Sequence, residues 1–470
     1  MTRADAACAA AFGLALAVGI VTAARHFPDV TMYHMAADEG AYYNQAVTIR
    51  AEGLRGFRSL AHQYLANSDL QGLPAPNRVG HILLASIAVR FSDSMTALSV
   101  LSLVCFAATA AAVFVFSWQY WDPLTAAIAG ALAAFSPLAL GLARRALMDT
   151  DYALFIVLAL FLFVHWLSTN RLAALAGFAS ALFCGLLVKE TTWLYLPFFV
   201  AVAVLMNRIG QRRPSLNHIA VFAMAVPAAV IVVQAALLGV GPFIEIVRTS
   251  GRMNVVSPNP YLVAYGSGPW YEYFIALLLL SPVVALLFLL FAGGYVGVAR
   301  WRLATTVLLA FFAYAIASLT LLPKNPRLIL PLDAVVRIGA ASSIVLLVAR
   351  ARVSGRPAAL LAGGGLIAAA LISDVSAFER YFAELDVYDP VTFTLLERSR
   401  ITPPSANWGG EKMADEYLEL SDAYFRAGDF QGAIRAARSA LLWRPRDARA
   451  ADNLARAQRA IAEAAASNKR

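Results

Sequence analysis

The sequence has little charge and few cysteines. Charged residues make up 14% of its 470 residues and hydrophobic residues 60%, whereas an ordinary soluble domain is about 25% charged. This shortage of charge argues against a soluble fold and predicts an integral membrane protein. The three cysteines lie in apolar stretches without CxxC spacing, so neither a disulfide framework nor a thiolate metal site is expected.

The charge that is present is concentrated near the C-terminal end. Residues 374–470 hold 14 of the 38 Lys and Arg residues and 15 of the 29 Asp and Glu residues. We therefore expect a membrane body over 1–373, a linker over 374–410 and a soluble tail over 411–470. Nucleic-acid binding is not expected despite the net charge of +9, because the basic residues of the body fall largely in short clusters between apolar runs, as membrane topology requires.

Eleven apolar runs are long enough, or nearly so, to cross a bilayer. They lie at about residues 7–26, 97–118, 123–141, 152–168, 171–188, 191–206, 217–239, 273–297, 303–322, 329–349 and 357–373. With the N-terminus inside, four successive inner loops carry arginines, as the positive-inside rule requires. A cleaved signal peptide is the alternative interpretation of the first run, but the topology closes with that run retained. The expected fold is all-α and polytopic.

The same topology places nearly every carboxylate of the membrane body on the outer side. Charge near the hydrocarbon is costly, so such a gathering predicts a water-filled cavity and a functional site. Two long outer loops, 28–96 and 240–272, are expected to line it. The first contains amphipathic segments predicted to be surface helices, and the second is rich in Pro, Gly and aromatic residues and is predicted to be a mobile cover.

Two acidic motifs lie on this outer side. Asp38 and Glu39 begin the segment DEGAYY just after the first span, where a carboxylate can take a proton from an acceptor hydroxyl or simply begin a solvated helix. The second motif, between the third and fourth spans, contains two arginines and two aspartates: Arg144, Arg145, Asp149 and Asp151. These four are either surface ion pairs of little energetic value or groups that position a phosphate and an acceptor.

Two basic motifs lie at outer span ends. Lys189 and Glu190 end the fifth span, and Lys324 and Arg327 lie in PKNPRLILP at the start of the tenth. Cations at a membrane boundary suit a lipid phosphate, since a charged leaving group must be stabilised as its bond breaks. Simple anchoring by snorkelling side chains is the alternative.

Three histidines of the first outer loop suggest a metal hypothesis. His34, His62 and His81 have irregular spacing, but with Asp or Glu they would suit a divalent cation. No other cofactor is expected. The sequence has no Gly-rich phosphate loop that would supply a nucleotide site.

The order and spacing of these motifs resemble the GT-C superfamily of membrane glycosyltransferases. The DE pair, the SP…R…ALMD…LF turn and PKNPRLILP carry the resemblance, which covers about residues 1–350. It is strongest to the branch of protein O-mannosyltransferases and lipid A aminoarabinose transferases. The resemblance implies inverting transfer of a sugar from a polyprenyl-phosphate carrier to an envelope lipid, glycan or protein hydroxyl.

The resemblance also implies roles for particular residues. It makes Asp38 the catalytic base, Glu39 its neighbour in acceptor positioning and Asp149 a second acidic residue of the cavity. Substrate-binding roles fall on five residues, of which the last two lie near the carrier phosphate: Arg144, Lys189, Glu190, Lys324 and Arg327. The chain departs from many relatives at Leu328, where they have Tyr.

The tail resembles one tetratricopeptide repeat followed by the first helix of another. The matching positions are Tyr417, Leu420, Tyr424, Ala433, Ala440 and Pro445. Fewer than three such repeats rarely stand alone. The tail is therefore expected to dock on the membrane body or on a protein partner.

The expected location is the bacterial inner membrane, with the site and the tail on the periplasmic or exoplasmic side. Two alternatives stay open. One is an O-antigen polymerase or ligase, or an oligosaccharyltransferase, that uses a lipid-pyrophosphate glycan. The other is a transporter or non-catalytic scaffold, although a transporter would show internal pseudo-repeats and polar groups at mid-membrane.

Overall fold

The computed structural model is helical over the residues that it describes. These are 2–28, 38–209, 215–252, 271–296, 302–322, 325–353, 358–384, 410–444 and 446–467. No β-strand occurs within these ranges. The all-α fold predicted from the sequence is confirmed.

Ten α-helices are described before residue 210. They are α1 (Arg3–Arg25), α2 (Asp38–Glu52), α3 (Gly56–Ala66), α4 (Val79–Ala88), α5 (Thr96–Tyr120), α6 (Pro123–Ala134), α7 (Pro137–Ala143), α8 (Asp149–Thr169), α9 (Leu172–Val188) and α10 (Leu196–Ile209). A 3-10 turn, Glu190–Tyr195, leads into α10.

Further α-helices are described after residue 210. They are α11 (Leu216–Ala220), α12 (Val226–Leu238), α13 (Val240–Gly251), α14 (Glu272–Leu280), α15 (Pro282–Val296), α16 (Leu303–Leu319), α17 (Leu330–Val353), α18 (Ala358–Phe378), α19 (Gly410–Arg426), α20 (Phe430–Trp443) and α21 (Ala448–Ser467). A 3-10 turn, Pro326–Ile329, precedes α17. A π-turn, Glu379–Glu384, extends the last span beyond residue 373, where the linker was expected to begin.

The number of spans agrees with a multi-pass membrane protein. Among the described residues, seven helical segments are long and apolar enough to cross a membrane, and the bent pair α6–α7 makes up to eight. Three further predicted spans coincide with shorter apolar helices, namely α9, α15 and α16. Each predicted span therefore has a helical counterpart, while the count of eleven stays a prediction.

A proline break brings the acidic turn to the site. Pro137 lacks the N–H that would continue α6, and the Ser136 hydroxyl instead accepts a hydrogen bond from the Ala139 N–H at 3.3 Å. The chain bends by 52° at this point. The short helix α7 then ends just before the turn that carries Arg144 and Asp149.

The outer-loop helices form a small core of their own. Phe57 and Ile82 from this loop pack with Leu238 and Ile246 from α12 and α13. The predicted helices of loop 28–96 are thus present as α2 and α4, while their placement on the membrane surface stays a prediction. Most of the predicted cover, residues 253–270, lies outside the described residues.

The tail forms three packed helices. Gly428 makes the turn between α19 and α20 with a φ of +78°, a conformation that glycine adopts without strain. The Ser421 hydroxyl crosses from α19 to the Ala433 carbonyl at 3.0 Å. The predicted turn is present, and the assignment to the tetratricopeptide family stays a prediction.

Candidate active site

A charged cavity of about 330 Å³ lies where five segments of the membrane body meet. We call it the main cavity. Its charged lining residues are Asp38, Arg78, Asp149, Lys189, Glu190 and Arg327. Much of the remaining lining is apolar, from Leu147, Met148, Trp193, Leu194, Leu322 and Leu328. Five of the eight site residues predicted from the sequence therefore come together here.

Asp38 is a partly exposed carboxylate at the cavity wall. It is the first residue of α2, where the helix dipole favours a negative charge. Its side chain is 31% exposed, and its Oδ2 lies 3.5 Å from Nη1 of Arg327. The dipole accounts for an acidic residue at this position in the sequence, but it does not require that the carboxylate face a cavity.

Asp149 is more buried than Asp38 and makes a closer contact with a cation. Its side chain is 2% exposed, and Lys189 Nζ donates a hydrogen bond to Oδ1 at 2.7 Å. Its Oδ2 lies 3.8 Å from Arg327 Nη1. The Lys189 ammonium also lies 5.0 Å from the centre of the Tyr152 ring. Asp149 thus links two cations, and Arg327 lies near both aspartates.

Arg78 is the cation that sequence reasoning missed. Its Nε and Nη2 donate to the two carboxylate oxygens of Glu190 at 3.0 and 2.6 Å, and its Nη1 donates to the Tyr42 hydroxyl at 2.6 Å. Burial alone would lower the pKa of Arg78, but Glu190 more than offsets this effect and raises that pKa well above its ordinary value. Arg78 is therefore a permanent cation. The sequence signal that could have identified Arg78 was its position shortly before the apolar segment HILLASIAVRF.

The local backbone explains why Lys189 and Glu190 reach different partners. Helix α9 ends at Val188, and Lys189 has an extended conformation with φ −146° and ψ 131°. The Gly185 carbonyl of α9 accepts hydrogen bonds from the Lys189 N–H at 3.0 Å and from the Thr192 hydroxyl at 2.9 Å. Successive side chains of an extended segment point in opposite directions. Lys189 therefore reaches Asp149 while Glu190 reaches Arg78.

Two predicted site residues lie outside the cavity lining. Glu39 is fully buried and accepts hydrogen bonds from Arg145 Nε and Nη2 at 2.8 and 2.9 Å, and from the Ala146 N–H at 3.0 Å. These donors hold the carboxylate outside the cavity lining, and the role of Glu39 in acceptor positioning stays a prediction. Arg144 is buried and donates to the His26 carbonyl at 3.3 Å. Lys324 lies outside the described residues.

A second cavity of about 390 Å³ adjoins the main one. We call it the adjoining cavity. The two share four lining residues: Arg78, Lys189, Glu190 and Trp193. The rest of its lining includes Ile231 and Gln234 of α12 and Phe243 and Val247 of α13. The charged residues Arg78, Lys189 and Glu190 therefore form a common wall between the two cavities.

The described residues do not form a recognisable metal centre. No group of three or more His, Cys, Asp or Glu side chains within them is arranged to hold an ion. Of the three histidines of the metal hypothesis, His62 is exposed, His81 is buried, and His34 lies outside the described ranges. The divalent-cation hypothesis stays a prediction.

The chain was compared with known families, curated proteins and solved structures. No family model and no curated protein matches it. ArnT from Cupriavidus metallidurans bound to undecaprenyl phosphate is 13% identical with a TM-score of 0.56, over 92% of this chain and 75% of that one. The apo oligosaccharyltransferase of Archaeoglobus fulgidus is 12% identical with a TM-score of 0.50, over 88% of this chain and 59% of that one.

The chain has the GT-C fold. Both similar structures belong to glycosyltransferases of this fold, which confirms the fold implied by the sequence motifs. The similarity to ArnT extends over nearly the whole chain. In this GT-C fold, the main cavity gathers motifs from sequence positions that lie as far apart as Asp38 and Arg327.

Proposed function

We propose that this chain transfers a sugar from a polyprenyl-phosphate monosaccharide to a hydroxyl acceptor. The observation that carries the proposal is the pairing of Asp38 and Arg327, whose carboxylate and guanidinium face one cavity with 3.5 Å between Oδ2 and Nη1. A carboxylate can accept the proton of an attacking hydroxyl. A guanidinium beside it can bind the phosphate that leaves.

The reaction is a single displacement. The acceptor oxygen attacks the anomeric carbon, and the bond from that carbon to the phosphate oxygen breaks. The hydroxyl proton passes to Asp38, and the polyprenyl phosphate leaves with the electron pair of the broken bond. One displacement inverts the configuration at the anomeric carbon.

Three cations of the cavity wall are suited to the charge that develops on the phosphate. Arg327 is 16% exposed and lines the main cavity, with its Nη1 3.5 Å from Asp38 Oδ2 and 3.8 Å from Asp149 Oδ2. Lys189 and Arg78 are already held by Asp149 and Glu190. Such fixed charges stabilise a leaving group without reorganising during the reaction.

The structurally similar ArnT is bound to undecaprenyl phosphate, which supports a polyprenyl phosphate as the carrier in the proposed reaction. The acceptor proposed is an envelope lipid, glycan or protein. The proposed sidedness is periplasmic for the main cavity and for residues 410–467. Reporter fusions after residue 380 test it, and activity only of a cytoplasm-dependent reporter would contradict this placement.

An oligosaccharyltransferase-like reaction on a lipid-pyrophosphate glycan is the second candidate. It is supported by the fold similarity to the Archaeoglobus fulgidus enzyme. The two candidates predict different lipids in a strain that lacks the gene. The first predicts accumulation of a polyprenyl-phosphate monosaccharide, and the second predicts a polyprenyl-pyrophosphate glycan.

The deciding experiment combines lipid mass spectrometry of that strain with binding to purified protein. Undecaprenyl phosphate should be retained by the wild-type protein and by Asp38→Asn, because the base is not needed for binding. The monosaccharide lipid should accumulate in the deletion strain and disappear on complementation with the wild-type gene. Complementation by Asp38→Asn that clears the lipid equally well would overturn the assignment of Asp38 as the base, whereas no accumulation of the monosaccharide lipid in the deletion strain would overturn the proposed function.

A further inference from the structure

A buried histidine–aspartate pair lies directly behind the main cavity. Asp151 follows Asp149 by two residues in the first turn of α8, and its Oδ2 is 2.8 Å from Nδ1 of His81. Each side chain is only 2% exposed. Burying a carboxylate without a hydrogen-bond partner is costly, so the imidazole is an essential part of this arrangement.

The imidazole is also in contact with the cavity wall. The Tyr42 ring packs edge-on against the His81 ring with 4.4 Å between centroids. Tyr42 is itself buried, and its hydroxyl accepts the hydrogen bond from Arg78 Nη1. Within the described part of the chain, His81 Nε2 has no hydrogen-bond partner. The His81 ring is therefore fixed by Asp151 on one side and by Tyr42 on the other.

Close packing pins the same segment to a second helix. A Cβ on Gly80 would lie 3.0 Å from both the backbone carbon and the Cβ of Leu187, and 3.1 Å from Cγ2 of Val188. Glycine therefore allows the start of α4 to lie directly against the end of α9. This approach places Arg78, two residues before Gly80, opposite Glu190, two residues after Val188.

We propose that His81 is a positioning residue that, through Asp151 and Tyr42, holds the Arg78 guanidinium at the main cavity. The inference rests on the proposed function, in which Arg78 faces the carrier phosphate. Because Asp149 and Asp151 share one helical turn, that turn orients Lys189 directly and Arg78 through His81. The first turn of α8 therefore positions both Lys189 and Arg78, two cations that lie in separate segments of the chain.

The test is a double-mutant cycle that measures binding of undecaprenyl phosphate to the full-length protein in detergent. His81→Leu removes the hydrogen bond and should weaken binding about tenfold, the scale of a hydrogen bond to a charged group. His81→Asn keeps an N–H close to the position of Nδ1 and should restore most of the affinity. In the Arg78→Met background, His81→Leu should cause little further loss, because coupled residues are non-additive.

The matched control is the same cycle with Arg327→Leu, which lies on a different segment and should combine additively with His81→Leu. Additive losses with Arg78→Met, or no rescue by His81→Asn, would overturn the inference. If His81→Leu does not fold, His81→Gln replaces it, because its amide matches Nε2 rather than Nδ1. Failure of the wild-type protein to bind undecaprenyl phosphate would overturn the proposed function, and this inference with it.

Discussion

Two of the groups of buried charges in the described membrane body differ in what surrounds them. In the first, carboxylates and cations face the main cavity. In the second, Arg337 of α17 donates to Asp333 Oδ1 at 3.1 Å, to the Ser281 hydroxyl at 2.8 Å and to Asp374 of α18. None of these four residues lines the main or the adjoining cavity.

The difference shows that burial and pairing do not by themselves mark a site. Arg337 is 1% exposed and bonded on several sides, so it joins α17 to α18 and to Ser281, which lies between α14 and α15. Arg327 is 16% exposed and 3.5 Å or more from its carboxylates. A charge that faces an open volume is suited to a ligand, whereas a charge enclosed away from both cavities is suited to architecture.

Asp38→Asn should distinguish the two groups most clearly, because it is expected to abolish transfer without affecting folding. The amide keeps the shape of the side chain and loses its basicity, so transfer should fall by about 10²- to 10⁴-fold or more, while expression and donor binding stay near wild type. Purified protein and a polyprenyl-phosphate sugar are the assay. Asp151→Asn should cost less. Near-normal transfer by Asp38→Asn together with loss in Asp149→Asn would move the base assignment to Asp149.

Disruption of the second group should lower the stability of the protein rather than impair the transfer reaction directly. Arg337→Met leaves two carboxylates without their cation in the spans, and breaking a buried pair in this way costs about 3–5 kcal/mol. Unfolding in detergent measures the loss. Arg350→Met, at an exposed position on the same helix, is the matched control and should stay within about 0.5 kcal/mol of wild type. Equal stability of the two variants would contradict the architectural role.

Arg327→Leu should weaken donor binding rather than folding. Loss of one charge-assisted hydrogen bond to phosphate corresponds to roughly 10- to 100-fold in affinity. Binding of undecaprenyl phosphate and unfolding in detergent are measured on the same preparation. Unchanged affinity in both Arg327→Leu and Lys324→Met would return these residues to simple anchoring at the interface.

The smallest effect is expected in the tail. Partial burial would raise the pKa of Asp422, but hydrogen bonds from Arg449 and Arg456 lower it below its ordinary value. A lowered pKa in the folded state adds stability above the unfolded value of about 3.9, and this stability is lost as pH falls through the folded value. The gain should be under about 1 kcal/mol, as for other exposed ion pairs.

Hydrogen exchange of residues 410–467 in the full chain, corrected for intrinsic rates, measures this change. Protection should decline below about pH 4 in the wild-type protein. Asp422→Asn should be less protected at neutral pH and should show a smaller decline in acid. An identical pH dependence of protection in the wild-type protein and in Asp422→Asn would show that Asp422 does not cause the decline.

The sequence predicted the fold and most of the cavity because its signals were local. Apolar runs and proline breaks are read directly from the chain, and each predicted span has a helical counterpart. Asp149, Lys189, Glu190 and Arg327 were found at or near predicted span ends and Asp38 shortly after the first span, and the predicted topology places all five on one side of the membrane. A shared side was therefore sufficient to group these residues.

The directions of side chains were not predictable in this way. Asp38 and Glu39 are adjacent, yet Asp38 faces the cavity while Glu39 is turned into the protein by Arg145. That partner is 106 residues away in the chain. Arg78 was missed for the same reason, because its pairing with Glu190 depends on the packing of α4 against α9. Long-range contacts decided which member of each motif reaches the cavity.

The wall shared by the two cavities has a consequence for redesigning the protein. Arg78, Lys189, Glu190 and Trp193 line both volumes, so a substitution at any of them changes two binding surfaces at once. Independent tuning must use positions that belong to one volume, such as Leu322 and Leu328 on one side or Phe243 and Val247 on the other. A library confined to these positions can reshape one cavity without altering the lining of the other.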